Sequence, residues 1–83
     1  MDGLLQYDAA RIDQVPENAR HLFDILARTY IVEFESPNGR QPHREWYVQV
    51  RLPKGLVIAG YYGESAIAAA ASVSLSLQTK AAA

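Results

Sequence analysis

The sequence predicts a small α+β domain laid out as helix, three antiparallel strands, helix. Three observations carry that prediction. The apolar spacing is helical over residues 16–28, alternates in the stretches between Tyr30 and Ala59, and gives way to an alanine run after Gly63. Two turn signals, Ser36-Pro37-Asn38-Gly39 and Pro53-Lys54-Gly55, divide the alternating region into three. A chain of 83 residues makes one domain with room for two packed layers, so both helices are expected on one face of the sheet.

Residues 1–15, with Leu4, Leu5, Ile12 and Val15 among charges, are expected to form a short helix or an ordered arm. The domain proper spans 16–80, and 81–83 is a tail. Pro16-Glu17 opens the first helix well, because proline lacks the amide that a first turn leaves unpaired and glutamate suits its positive end. Ala19, Leu22, Phe23 and Leu26 then make one apolar stripe, with Arg20, Asp24 and Arg28 off it. Tyr30, Val32 and Phe34 alternate with Ile31, Glu33 and Glu35 as a half-buried strand. In the second strand Trp46, Val48, Val50 and Leu52 face inward while Tyr47, Gln49 and Arg51 face out. The third is short, Leu56 to Ala59, and Gly60-Tyr61-Tyr62-Gly63 is expected to break it. Glu64 or Ser65 can cap the second helix, whose Ala69, Val73 and Leu77 recur every four residues and should lie on the sheet. Val73 to Leu77 also alternate, but the preceding alanines nucleate a helix and carry it through them.

Composition narrows the function. The apolar share is 49%, yet thirteen of these residues are alanines, so the core should be thin and the stability marginal. No cysteine means no disulfide and no thiolate metal site. Two histidines without an acid at ligand spacing argue against structural zinc, and no other cofactor is implied. No run approaches the roughly 18 apolar residues of a membrane span and the opening MDGLLQYD lacks a basic leader, so the expected setting is soluble and intracellular. His21 and Asp24 share a helix face with neither a nucleophile nor a glycine-rich phosphate loop beside them, and an enzyme is not expected.

The net charge of −1 is unevenly spread. Residues 1–35 set seven acids against three arginines, whereas residues 36–63 hold Arg40, Arg44, Arg51 and Lys54 against Glu45 alone. The hairpin is therefore locally basic. Edge strands also use Arg and Lys simply to stay soluble.

These residues resemble the double-stranded RNA-binding domain over roughly 16–79. Leu22 and Asp24 match a leucine and an acid of that family's first helix, and Tyr30 matches the tyrosine that begins its first strand. Pro42-His43 followed by Trp46, Val48 and Val50 is close to its hairpin loop, and Gly63 with Ser65 to the opening of its second helix. The resemblance implies RNA contact through His43, Arg40, Arg44 and Lys54, with no small-molecule substrate.

The departures bear on function. With Ser65 aligned, Ala66, Ile67 and Ala70 stand where the family carries lysines that bridge phosphates across a major groove. Each phosphate neutralised contributes counterion release, so three missing charges should cost several powers of ten in duplex affinity. Ala27 also replaces a usual glutamine. Degenerate members of the family bind proteins, self-associate or serve as accessory domains, and Leu52-Pro53-Lys54-Gly55 through Gly63 is similar to domains attached to DEAH-box helicases. The expectation is an accessory or protein-interaction module in an RNA-processing assembly, its partner surface formed by Ile67, Ala66, Ala70 and Leu75. A duplex binder using the basic hairpin is the first rival, and a small phage- or bacterial-type inhibitor of the same topology the second. Tyr61 and Tyr62 can stack on bases or pack over the helix end.

Overall fold

A computed structural model describes residues 4–37 and 45–82. Helix α1 spans Glu17–Ala27 and α2 spans Ala66–Ala82; the strands are β1 Leu5–Gln6, β2 Ile31–Glu35, β3 Trp46–Arg51 and β4 Val57–Gly63. They form one antiparallel sheet in the order β1-β2-β3-β4. Both helices pack on the same face of it, enclosing Val32, Phe34, Val48 and Val50 between layers.

The helix–three strands–helix order holds, and two expectations about the sheet are corrected. A fourth strand exists: the N-terminal arm pairs Leu5 with Phe34 and Gln6 with Glu33. Two apolar residues among charges show no periodicity of their own, so only pairing with β2 makes this segment extended. The last strand runs through Gly63 instead of ending at Ala59, with Tyr62 paired to Tyr47 and Gly63 to Trp46. Its glycines let neighbours approach and do not interrupt the ladder. Val50 pairs with Ala59 but Arg51 with Val57, so Ile58 is an extra residue, a bulge near the start of β4.

The arm is part of the core. Tyr7 and Val15 are buried, and a turn of 3₁₀ helix at Ile12–Gln14 carries the chain from one to the other, just ahead of α1. Tyr7 meets Phe23 edge-on at 5.1 Å, Phe23 meets Phe34 at 5.8 Å, and Phe34 stacks on half-buried Trp46 at 6.3 Å. This aromatic file ties arm, α1, β2 and β3 together, and such contacts add to simple burial. The Tyr7 hydroxyl donates to Asp24 Oδ1 at 2.6 Å, latching the arm to α1. Burial, reinforced by the Asp24 carboxylate, pushes the Tyr7 phenol up to about 12.

Helix α1 buries Ala19, Phe23 and Leu26 of the stripe its spacing predicts, and Leu22, the fourth member, is half-buried against the core. In α2, Ala66, Ala69, Ala70 and Val73 are buried, and the Ser65 hydroxyl caps the helix by accepting from Ala68 N at 3.2 Å. Small side chains set the interlayer distance there. A Cβ on Gly63 would lie 2.5 Å from Ala69 N, so β4 and α2 touch backbone to backbone. Gly55, with φ 102°, turns the chain between β3 and β4 in a conformation that suits glycine.

Candidate interaction surfaces

The sheet's open face carries a chain of polar contacts. Tyr47 donates to Gln49 Oε1 at 3.0 Å, and Gln49 donates to Glu33 Oε1 at 2.8 Å. Arg51 grips the same carboxylate through Nε at 2.9 Å and Nη2 at 3.3 Å. The alternation that buries Val48 and Val50 puts Tyr47, Gln49 and Arg51 on this face, beside Glu33 from β2. The Arg51 guanidinium holds Glu33 below the usual carboxylate range, against burial, which opposes it; Gln49 adds to the lowering. Burial pushes the Tyr47 phenol up, with the Tyr62 and Glu33 charges adding to it. Tyr62 leans on Tyr47 at 4.8 Å between ring centres. The hydrogen bonds on this face are made within the domain, and they occupy the guanidinium that the basic hairpin would offer to phosphate.

Of the residues expected to contact RNA, Lys54 sits exposed in the β3–β4 turn. His43, Arg40 and Arg44 lie outside the described residues. The partner surface expected from Ile67, Ala66, Ala70 and Leu75 divides. Ala66 and Ala70 are 1% and 0% exposed, part of the core and unavailable to any partner, a correction to their expected place on an outer face. Ile67 is half-buried against the core. Leu75 is 64% exposed, as its position off the buried stripe predicts. The reason is the angle that α2 presents to the sheet. The alanines buried beside Ala69 and Val73 are Ala66 and Ala70, which leaves Ala68 and Ala71 outward.

Leu75 belongs to a larger feature. With Tyr61 of β4 and Ser72, Ser76 and Thr79 of α2 it lines a groove of about 470 Å³ along the sheet edge. Leu56, Val57 and Tyr62 are exposed on the same strand or just ahead of it. Sequence reading missed this margin, although a signal was present: from Leu56 to Thr79 the single charged residue is Glu64. Among the described residues no three His, Cys, Asp or Glu side chains cluster to hold a metal, and no helix is long and apolar enough to cross a membrane.

No family model, curated protein or solved structure matches this chain. The functional reading therefore rests on the surfaces themselves.

Proposed function

We propose that the domain is a protein-interaction module, an accessory part of an RNA-processing assembly, which docks through the uncharged side formed by α2 and β4. One observation carries the reading: Tyr61 and Leu75 expose apolar surface where, with Ser72, Ser76 and Thr79, they line a groove with no charged side chain in its lining. Scattered exposed apolar residues are ordinary, but a mainly apolar groove along a sheet edge is a feature of binding surfaces. The start of α2 supports the same reading from the negative side. Its outward residues Ala68 and Ala71 carry no charge, so it has nothing with which to clamp phosphate. The helix–three strands–helix order and the hairpin residues support the dsRBD-like part of the proposal, in which RNA contact is weak and comes from Arg40, His43, Arg44 and Lys54.

Two measurements test this. A gel shift with a duplex of about 20 base pairs at two salt concentrations should show weak binding, its salt slope near that of three or four neutralised charges. Leu75→Lys should leave that binding unchanged while lowering co-purification with the native assembly. Tight duplex binding that survives physiological salt would overturn the reading.

A further inference from the structure

We infer that the partner seated on this side is a second copy of the chain, its α2 laid antiparallel on α2 about a twofold axis between Ser72 and Leu75. The inference rests on the interaction reading above and names its occupant. The first argument is the outer face of α2. A surface helix ordinarily turns charge toward solvent, as α1 does with Glu17 and Asp24. From Ala66 to Thr79, α2 has no charged residue on any face. Its buried stripe is Ala66, Ala69, Ala70 and Val73. On the other side Ala68, Leu75 and Thr79 are exposed and Ser72 is half-buried. These four follow one another at intervals of four, three and four, the seam spacing of paired helices. Thr79 donates its hydroxyl to Leu75 O at 2.9 Å within its own helix, which leaves its methyl group to the seam.

The second argument is shape. Leu75 stands 64% exposed on the rim of the groove that it lines with Tyr61, Ser72, Ser76 and Thr79. A projecting side chain and a hollow therefore lie on one patch. That is the condition a twofold axis sets, because it places a patch against itself. The seam spacing then fixes an antiparallel register. Ser72 of one copy faces Leu75 of the other, and Ala68 faces Thr79, small against larger at both levels.

The third argument is charge. Any charge near a twofold axis meets its own like, and the seam has none. A charged partner, by contrast, would lose hydration against Tyr61 and Leu75 and find no counter-charge. The ends of the helices add attraction. Antiparallel packing sets the start of each α2 beside the end of the other, where the dipoles are of opposite sign. Glu64, just ahead of one helix, falls at the end of its neighbour that carries Lys80. The uncharged stretch is about 21 Å long on a helix about 10–12 Å across, so the contact is small and the dimer reversible.

Sedimentation equilibrium of the full chain tests this over about 5 to 500 µM, a range that brackets modest dimer affinities. The expected mass rises from 9.2 kDa toward twice that value. Ala68→Lys and Leu75→Lys, at exposed positions that tolerate lysine, should each weaken the dimer at least about tenfold. Because the chain has no cysteine, brief oxidation of single-cysteine variants reads the register. Ala68→Cys mixed with Thr79→Cys should cross-link one to the other in preference to like with like, since only that pair comes within disulfide reach. A 9.2 kDa species at every concentration refutes the pairing, as does a dimer that both lysine variants leave intact. Preferential coupling of Ala68→Cys to itself refutes the antiparallel register. The lysine variants are also assayed for co-purification with the native assembly. A monomer whose variants still lose that association sinks self-pairing and leaves the interaction reading standing; a monomer whose variants keep it sinks both.

Discussion

Alanine at Gly63 should destabilise the domain far more than alanine at Gly60, although both glycines lie on β4. A Cβ at Gly63 would meet Ala69 N at 2.5 Å, Ala69 Cα at 2.9 Å and Ala68 C at 3.1 Å. All three are backbone atoms of a helix, and none can swing aside. Relief requires α2 to lift by close to an ångström, and a gap of that size forfeits roughly a quarter to a half of each packing contact it opens. The contacts at stake are those of Ala66, Ala69, Ala70 and Val73, the buried stripe of α2. Overpacking of this kind costs about 1–3 kcal/mol, and a less flexible unfolded chain returns about 0.4–1 kcal/mol. The expected net loss is about 2 kcal/mol, a large share of the stability of so small a domain. The φ of Gly63 lies outside the left-handed region, so space is the constraint. At Gly60 the new Cβ would run into the Tyr47 hydroxyl, the far end of a side chain on the open face. That ring can tilt away, loosening its contacts with Gln49 and Tyr62, so the loss should stay within about 0.5 kcal/mol. Equilibrium urea unfolding followed by Trp46 fluorescence and circular dichroism measures both variants. Equal losses, or a Gly63→Ala variant as stable as the parent, would refute the claim that helix backbone limits this position.

Three further outcomes are expected. Glu33→Gln should cost about 1 kcal/mol at pH 7, since it removes the charge that Arg51 grips at 2.9 Å. Because folding lowers the Glu33 pKa from 4.5, that advantage is present above this value and fades as pH falls through the lowered one; urea titrations at pH 7 and pH 3 check it. Tyr7→Phe removes the 2.6 Å bond to Asp24 and should cost about 1–2 kcal/mol at neutral pH. The Tyr7 phenol is raised from 10.0 to about 12, so its contribution holds below 10.0 and is lost as pH rises toward 12, and the parent–variant difference should shrink over that window. Ala70→Lys, at a fully buried site, should prevent stable folding at a cost of at least about 3 kcal/mol, whereas exposed Ala71→Lys should stay within about 0.5 kcal/mol in thermal melts.

The periodic elements were legible because their apolar spacing exceeds what one strand or turn needs. The α1 stripe, the Val48–Val50 alternation and the capped α2 all stand where spacing puts them. The arm was not legible as a strand, since Leu5–Gln6 is extended only by its pairing with β2. The glycines of β4 read as strand breakers because sequence shows a missing side chain and hides the neighbour that needs its space. For the candidate surface, Leu75 followed from helical geometry, whereas Ala66 and Ala70 did not. In a helix opening on consecutive alanines every face is equally apolar, and spacing alone cannot select the buried one. The Glu33–Arg51 pair joins residues of two strands, so neither strand discloses it alone.

The two-residue β1 has a consequence for how far the sheet can grow. It occupies the outer side of β2, and its own margin is too short to template another strand. A chain shortened to begin at Asp8 would lose β1 together with the Tyr7 latch and would bare the margin of β2 along Glu33 and Phe34. A bared strand margin is a template on which strands of other chains can add. The same short segment that completes the core would in that sense act as a terminator of the sheet on the β2 side.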